Sequence, residues 1–344
     1  MNYRMVYFIT MIYFMQSVMK INAYEQKKAF RFFNDATEES IVFYARESLT
    51  SPKKIARKAI IIKRPKAKAT VLICHGFMCD KYDISLLHVM FKDYNSVAFD
   101  FRAHGEESEG QCCSLGRDES YDVTAIAEYI KKHPDLKNTP LLVYGFSMGA
   151  VAAIIAQAQK NLFDGMILDC PYDSTDKLLD RGFKNLKISI FGYQVGLPGT
   201  SLLRTYAYNS YVQSMLKALL RSFSKFDSGP INLCVAPAYP EEAIKYVKVP
   251  CFFIGCVNDD KAPEEAVLSV YKGAQGFKRC WIDPDGRRHF DTLFRQTYKY
   301  IYKVDRFIKK VINSSYKQLV QEKISKDRPQ SHINTAYIAQ KVVD

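Results

Sequence analysis

A serine between two glycines at residues 145–149 is the segment with the clearest chemical signature. The motif Gly145-Phe-Ser147-Met-Gly149 directly follows the short apolar run Leu141–Tyr144 and directly precedes an alanine-rich segment with helical character. A strand, a tight turn and a helix in this order lift a serine hydroxyl clear of a sheet, and glycines remove the Cβ atoms that would crowd the turn. The pattern therefore predicts that Ser147 is a nucleophile that attacks a carbonyl carbon.

A serine nucleophile needs a base, and the base needs an acid to orient it. Among the six histidines, only His289 lies in a loop directly after the last predicted strand. The strand before that one, Cys251–Ile254, leads into a loop with two adjacent candidate acids, Asp259 and Asp260. The chain order Ser147, Asp259, His289 is that of α/β-hydrolase triads. An N-cap of the following helix is the alternative role for Asp259, since Asp is favoured at that position.

Two backbone amides are expected to stabilise the charge that develops on the attacked carbonyl oxygen. Met148, the residue after the nucleophile, supplies one N–H at the start of a helix, where free amides and the helix dipole favour an anion. The second amide is expected in the turn after the strand Thr70–Cys74, and Phe77 is the candidate. The sequence has no cofactor motif and no paired Cys-x-x-Cys blocks, so we expect neither a cofactor nor a structural zinc ion.

The elements that must position these residues alternate along the chain. Eight short apolar runs lie at 41–44, 59–62, 70–74, 96–100, 141–144, 166–169, 251–254 and 279–282, and segments of helical period lie at about 83–93, 118–132, 148–160, 263–273 and 290–312. This alternation predicts an α/β fold, with a mostly parallel eight-stranded sheet and helices on both faces. No helical segment separates the first two runs, so they should form an antiparallel entry to the sheet.

The predicted hydrolase domain spans residues 24–312 and contains one interruption. Between about 174 and 238 the sequence shows no strong strand, and the segments 178–183 and 211–220 are typical of helices. We interpret this stretch as a mostly helical lid insertion, since long irregular insertions in compact domains are usually functional. The polar residues 313–344 are interpreted as a C-terminal tail.

Residues 1–23 have the layout of a signal peptide. A short basic start precedes the apolar run Met5–Met15, whose 11 residues are too few to span a bilayer. This predicts export, so that the protein would be secreted or periplasmic. A buried or amphipathic first helix is the alternative, and it would leave the protein cytoplasmic or membrane-associated.

The chain carries 49 Lys and Arg against 36 Asp and Glu, a net charge of +13. Residues 52–68 hold eight of these cations and no acid, so an anionic surface is a candidate partner. No nucleic-acid-binding motif accompanies the segment, and a solvated strand edge is the alternative interpretation. Nine cysteines are present, and in an exported protein we expect one bridge between Cys79 and either Cys112 or Cys113.

Taken together, these motifs resemble the serine-aminopeptidase-like and monoacylglycerol-lipase-like branch of the α/β-hydrolases. The matching segments are His75-Gly-Phe77, Asp100-Phe-Arg102-Ala-His104-Gly105, Gly145-Phe-Ser147-Met-Gly149, Asp169-Cys-Pro171, Asp259 with Pro263, and His289. Two departures are Arg288, where the family usually has glycine, and one extra residue before Asp259.

The resemblance implies hydrolysis of an ester, thioester or amide through an acyl-enzyme, and that the loop of Asp100, Arg102 and Gly105 shapes the site. We expect an esterase or thioesterase acting on a small-molecule or lipid acyl substrate. A serine peptidase is the first alternative, and a basic, non-catalytic binding module is the second.

Overall fold

The computed structural model describes residues 36–48, 51–185 without 107 and 109, 187–190, 193–196, 206, 208–209, 211–214 and 231–313. Ten strands are described: β1 (Thr37–Arg46), β2 (Lys54–Lys63), β3 (Thr70–Cys74), β4 (Asn95–Phe99), β5 (Leu141–Phe146), β6 (Gly165–Asp169), β7 (Lys187–Ile190), β8 (Tyr193–Gly196), β9 (Cys251–Cys256) and β10 (Lys278–Asp283). Each of the eight apolar runs lies in one of these strands apart from Asp100, which directly follows β4, so the predicted strand positions are confirmed.

Eight of these strands form one sheet in the order β1-β2-β4-β3-β5-β6-β9-β10. β2 pairs antiparallel with β4, whereas all described pairings from β4 to β10 are parallel. Every residue of β3, β4, β5, β6 and β9 is buried, as expected for strands covered on both faces. The predicted mostly parallel eight-stranded sheet is therefore confirmed.

Helices cover both faces of this sheet. The described helices are α1 (Ser85–Met90), α2 (Glu119–Lys132), α3 (Met148–Gln159), α4 (Thr175–Asn185), α5 (Pro240–Ala243), α6 (Glu264–Gly273), α7 (Asp291–Arg295) and α8 (Thr297–Ile312). One core layer packs α2, α3 and α6 against the sheet, and the other packs α1 and α8 against the opposite face. The single helix predicted over 290–312 is wrong, because the chain leaves helical geometry at Gln296, whose side chain donates to Asp283.

The insertion at 174–238 differs from its prediction. It contains α4, as expected, but also an antiparallel hairpin of β7 and β8, so the expected absence of strands is wrong. Residues 211–214 are helical, and the rest of the helix predicted over 211–220 lies outside the described residues.

The structure also corrects the predicted disulfide. Cys112 is bonded to Cys234, and Cys79 is a free thiol. Cys234 lies on the segment that returns from the insertion, where Cys113 N–H donates to Asn232 O at 2.8 Å and Cys234 N–H donates to Cys113 O at 2.8 Å. The bridge therefore joins the loop after β4 to the insertion, a contact between distant parts of the chain that cysteine spacing does not reveal.

Two terminal predictions fall outside the described part of the chain. The signal peptide over 1–23 lies there, as does the tail apart from Asn313. Among the described helices, none is long and apolar enough to cross a membrane.

Candidate active site

Ser147 lies in a strained turn between β5 and α3. Its backbone has φ 52° and ψ −123°, a left-handed conformation that is costly for a residue with a side chain. The Ser147 N–H donates to Asp169 O at 2.8 Å, which ties the turn to the end of β6. A Cβ on Gly149 would lie 2.2 Å from Cys74 O, and one on Gly145 would lie 2.7 Å from Gly149 O. Both glycines are therefore required by close backbone approach.

The predicted acid and the predicted base are hydrogen-bonded to each other. Asp259 follows β9 and His289 follows β10, and Asp259 Oδ2 lies 2.7 Å from His289 Nδ1. Asp259 is only 2% exposed, and its other oxygen accepts from Lys261 N–H at 2.8 Å and Ala262 N–H at 2.9 Å. Burial raises the pKa of Asp259, but the bonds from His289, Ala262 and Lys261 outweigh burial and place the pKa below its usual value.

Asp260, the alternative acid, does not contact His289. Its side chain is 61% exposed and lies 3.4 Å from the ammonium of Lys261. The geometry therefore distinguishes two carboxylates that are adjacent in sequence. The alternative role of Asp259 as the N-cap of α6 is wrong, because the N-cap is Pro263 and no side chain caps it. The second oxygen of Asp259 instead accepts from two amides of the loop before α6, while its first oxygen contacts His289.

The second nitrogen of His289 is available for chemistry. Nε2 is buried and has no hydrogen-bond partner among the described residues. With Nδ1 bonded to Asp259, Nε2 is the nitrogen left to accept a proton. Ser147, Asp259 and His289 follow β5, β9 and β10, whose carboxyl ends lie at one edge of the parallel sheet. No described hydrogen bond joins Ser147 to His289, and in unliganded sites such contacts are often longer than in the substrate complex.

The predicted oxyanion amides lie at the ends of β3 and β5. Phe77 follows the β3 turn, and Met148 is the first residue of α3, where helix amides lack an intrahelical acceptor. Neither amide donates to another described residue. The neighbouring Met78 N–H is occupied, because it donates to His104 Nε2 at 3.2 Å.

His75 and His104 hold the backbone around this turn through hydrogen bonds. Phe101 N–H donates to His75 Nε2 at 3.0 Å, so both histidines accept bonds from backbone amides. Burial lowers the pKa of His75 well below its usual value, and the neighbouring His104 lowers it further. Neutral imidazoles suit these accepting roles.

The sequence did not predict a buried polar cluster that lies next to the Ser147 turn. Tyr300 O–H donates to Asp169 Oδ2 at 2.5 Å, Tyr144 and Tyr300 hydroxyls lie 2.9 Å apart, and the Cys170 thiol donates to Asp169 Oδ1 at 3.2 Å. Burial raises the pKa of Asp169. Tyr144 and Tyr300 are 156 residues apart, so only their packing across the sheet reveals the cluster.

One group of side chains has the donor types of a metal site. Donor atoms of Cys170, Asp259 and His289 lie within 4.8 Å of one another. Asp259 and His289 already satisfy each other through a 2.7 Å hydrogen bond. The arrangement therefore fits an oriented imidazole and a carboxylate without an ion.

Two further ion pairs shape the loop after β4. Arg102 binds Asp122 through Nη2 at 2.9 Å and Nε at 3.1 Å, and its remaining donors reach Glu47 O at 2.6 Å and Arg46 O at 2.8 Å. Lys81 lies 2.6 Å from Asp100. A Cβ on Gly105 would lie 2.2 Å from the Asp100 side chain, so these residues pack as a unit.

Comparisons with known proteins agree with this architecture. The family model "Serine aminopeptidase, S33" matches residues 65–193. None of the curated proteins compared with this chain matches its sequence. Among solved structures, the Pyrococcus furiosus esterase Pf2001 is similar, with a TM-score of 0.61, 19% identity, and coverage of 86% of this chain and 96% of that chain.

Two other solved structures are similar at comparable levels. The peroxisomal α/β-hydrolase Lpx1 of Saccharomyces cerevisiae has a TM-score of 0.56 and 16% identity, with 90% of this chain and 96% of that chain covered. The acylaminoacyl peptidase of Pyrococcus horikoshii has a TM-score of 0.55 and 16% identity, with 83% of this chain and 43% of that chain covered. The sheet order and the similarity to these solved structures show that the chain has the α/β-hydrolase fold, and its residues 65–193 are similar to the serine aminopeptidase family.

Proposed function

We propose that this protein is a serine hydrolase that cleaves a carboxylic ester or thioester through an acyl-enzyme, with Ser147, His289 and Asp259 as its triad. One observation carries the proposal. His289 is bonded to a buried carboxylate through Nδ1, while its Nε2 has no hydrogen-bond partner among the described residues. His289 comes after the carboxyl end of β10, on the same side of the sheet as the strained turn that carries Ser147.

The mechanism assigns one role to each group. His289 Nε2 takes the Ser147 proton as Oγ bonds to the acyl carbon, and the N–H groups of Phe77 and Met148 stabilise the oxyanion. The bond to the leaving group then breaks, and the imidazolium returns the proton to the departing alkoxide or thiolate. In the second half, His289 takes a proton from water as the water oxygen bonds to the acyl carbon. The bond to Ser147 Oγ then breaks, and the imidazolium returns that proton to Oγ, which releases the carboxylic acid and restores the enzyme.

A fluorophosphonate probe tests the nucleophile directly. We expect the wild-type protein to be labelled at Ser147 and Ser147→Ala to be unlabelled, with p-nitrophenyl ester hydrolysis falling by at least about 10⁴-fold. The matched control is Ser174→Ala, a buried serine in a different loop, which should keep its labelling. Undiminished ester turnover by Ser147→Ala would exclude Ser147 as the nucleophile.

A peptidase is the second candidate function. The matching family model is described as a serine aminopeptidase, and one similar structure is an acylaminoacyl peptidase. The same triad serves esters and amides, so fold alone does not select the substrate. An acyl-ester chain-length panel measured beside aminoacyl p-nitroanilides separates the two. Higher kcat/KM for the anilides than for every ester would replace the esterase proposal by the peptidase.

A further inference from the structure

Four cations on α8 and the neighbouring strand β10 form one group, and three of them lie over aromatic rings. Lys299 and Lys303 both lie over the Trp281 ring of the edge strand β10, with ammonium groups 5.3 and 5.1 Å from its centroid. Arg279, two residues earlier on β10, lies 5.6 Å from the Phe277 ring. Arg306 follows Lys303 by three residues on α8, and therefore lies on the same helical face. We call Arg279, Lys299, Lys303 and Arg306 the α8 basic face.

These four cations repel one another and have no ion-pair partner among the described residues. The acid of the same helix, Asp305, is occupied, because it bonds Lys309 at 2.7 Å and accepts from the Tyr94 hydroxyl at 2.7 Å. Burial lowers the pKa of Lys303, and the charges of Lys299, Arg279 and Arg306 lower it further. A polyanionic partner would relieve this repulsion.

Aromatic side chains stand beside the cations. Tyr298 and Tyr302, one helical turn apart, are each 62% exposed, and Phe294 on α7 is 40% exposed. Tyrosine and tryptophan favour the boundary between lipid headgroups and acyl chains, and lysine extends its charge toward the headgroups. The mixture of aromatic and basic groups fits a lipid surface better than a purely ionic partner.

The α8 basic face begins at the catalytic edge of the sheet, by which we mean the side where the carboxyl ends of β5, β9 and β10 lie. Near the start of α8, Tyr300 bonds Asp169 at the carboxyl end of β6, whereas Val311 near the end of α8 packs at Gly165, where β6 begins. α8 therefore runs away from the catalytic edge, and Tyr298 and Lys299 lie at its near end. The exposed Arg287 and Arg288 precede His289 and add positive charge at the same edge.

We propose that the α8 basic face binds the surface of an anionic lipid bilayer and presents the catalytic edge of the sheet to it. An anionic bilayer complements the positive charge of this face, and its headgroup region accommodates the exposed Tyr298 and Tyr302 beside the cations. The segment 52–68 is equally basic in sequence, but several of its cations form ion pairs, so less of its positive charge is available to a partner. Lys53 lies 3.0 Å from Glu47, Lys58 lies 2.8 Å from Glu106, and Lys63 lies 2.8 Å from Asp135.

Vesicle binding tests the proposal on the full chain. Cosedimentation with vesicles of phosphatidylcholine containing phosphatidylserine is expected, with little binding to pure phosphatidylcholine and loss of binding at high salt. Each surface lysine contributes about 1 kcal/mol to such binding, so Lys299→Gln/Lys303→Gln should weaken it about 30-fold. The matched control is Lys54→Gln/Lys68→Gln, which removes the same charge from exposed positions of the 52–68 segment and should stay within about threefold of wild type.

The single tryptophan makes the contact directly visible. Trp281 is the only tryptophan of the chain and lies beneath Lys299 and Lys303, so brominated phosphatidylserine should quench its emission on binding. Equal weakening in the two double variants, equal binding to neutral vesicles, or binding of duplex DNA without vesicle binding would each overturn the proposal. Hydrolysis of a soluble ester should be unchanged in both double variants, so failure here is distinct from failure of the proposed function.

Discussion

Two buried carboxylates, Asp122 and Asp259, each bind a basic side chain, and the two basic partners differ in whether their other nitrogen atoms are hydrogen-bonded. Asp122 is bound by Arg102, whose other donors reach Glu47 O and Arg46 O, and Arg57 Nε lies 3.6 Å from the same carboxylate. Asp259 is bound by His289, whose second nitrogen has no partner among the described residues. The guanidinium of Arg102 is hydrogen-bonded on all sides and holds chain segments together, whereas Nε2 of His289 remains able to accept a proton.

The difference teaches how to separate structural from reactive ion pairs. Burial raises the cost of leaving either carboxylate unpaired, so burial alone does not distinguish them. Guanidinium cannot give up its proton in proteins, whereas imidazole exchanges a proton near neutral pH. Substitution of Asp259 should therefore lower activity, whereas substitution of Asp122 should lower stability.

The largest expected effect is on activity. Asp259→Asn should lower kcat for ester hydrolysis by about 10⁴-fold, because the amide no longer stabilises the imidazolium or selects its tautomer. The free energy of unfolding should change by only about 1 kcal/mol, since Asn can still accept the loop amides. Steady-state kinetics and urea denaturation measure both. Asp260→Asn is the control and should stay within about threefold of wild type; the reverse ranking would make Asp260 the acid.

Asp122→Asn should show the opposite behaviour. It leaves the buried Arg102 charge uncompensated, which costs about 3–5 kcal/mol, a large part of the roughly 5–15 kcal/mol that stabilises a folded protein. The folded fraction should retain the fluorophosphonate reactivity of wild type. A variant as stable as wild type but catalytically dead would contradict the structural role assigned to this pair.

The buried His88 is a structural histidine, in contrast to His289, and its effect on stability should depend on pH. Burial, and then the charge of Arg64, lowers the pKa of His88 to about 3, and its Nδ1 lies 2.6 Å from Ser96 Oγ. Below about pH 6.5, His88 binds a proton in the unfolded chain but stays neutral in the native state. Neutral His88 therefore contributes fully to the free energy of unfolding above pH 6.5, and this contribution is lost as the pH falls.

His88 should therefore contribute a loss of about 2 kcal/mol in the free energy of unfolding between pH 6.5 and pH 5. Comparison of His88→Gln with wild type at both values isolates this contribution, since the other buried histidines remain. Parallel stability curves for the two proteins would show that His88 is protonated in the native state.

The smallest expected effect concerns the serine turn. Ser147→Gly should be more stable than Ser147→Ala by about 1 kcal/mol, because glycine adopts the positive φ without strain. Thermal unfolding of the two inactive variants gives the comparison. Equal stability would mean that the turn stores little strain, and would weaken the distinction between a reactive turn and an ordinary one.

Much of the fold could be predicted because apolar runs and turn residues act locally. The eight strand positions and the strand–turn–helix around Ser147 follow from such patterns. The hairpin of β7 and β8, the break at Gln296 and the Cys112–Cys234 bridge could not be predicted, since contacts between distant segments decide them.

The sequence by itself determined the order of the strands along the chain, the glycines around Ser147 and the position of His289 after the last strand, because these depend on local sterics and on hydrophobic periodicity. Only the tertiary structure decided which of Asp259 and Asp260 meets His289, since adjacent side chains leave a loop in different directions. It also decided where positive charge remains unpaired. Lys58 and Lys63 of the 52–68 segment pair with acids from distant segments, whereas Lys299 and Lys303 of the α8 basic face lie over the Trp281 ring. Charge pairing depends on which residues become neighbours in the fold, and composition does not reveal it.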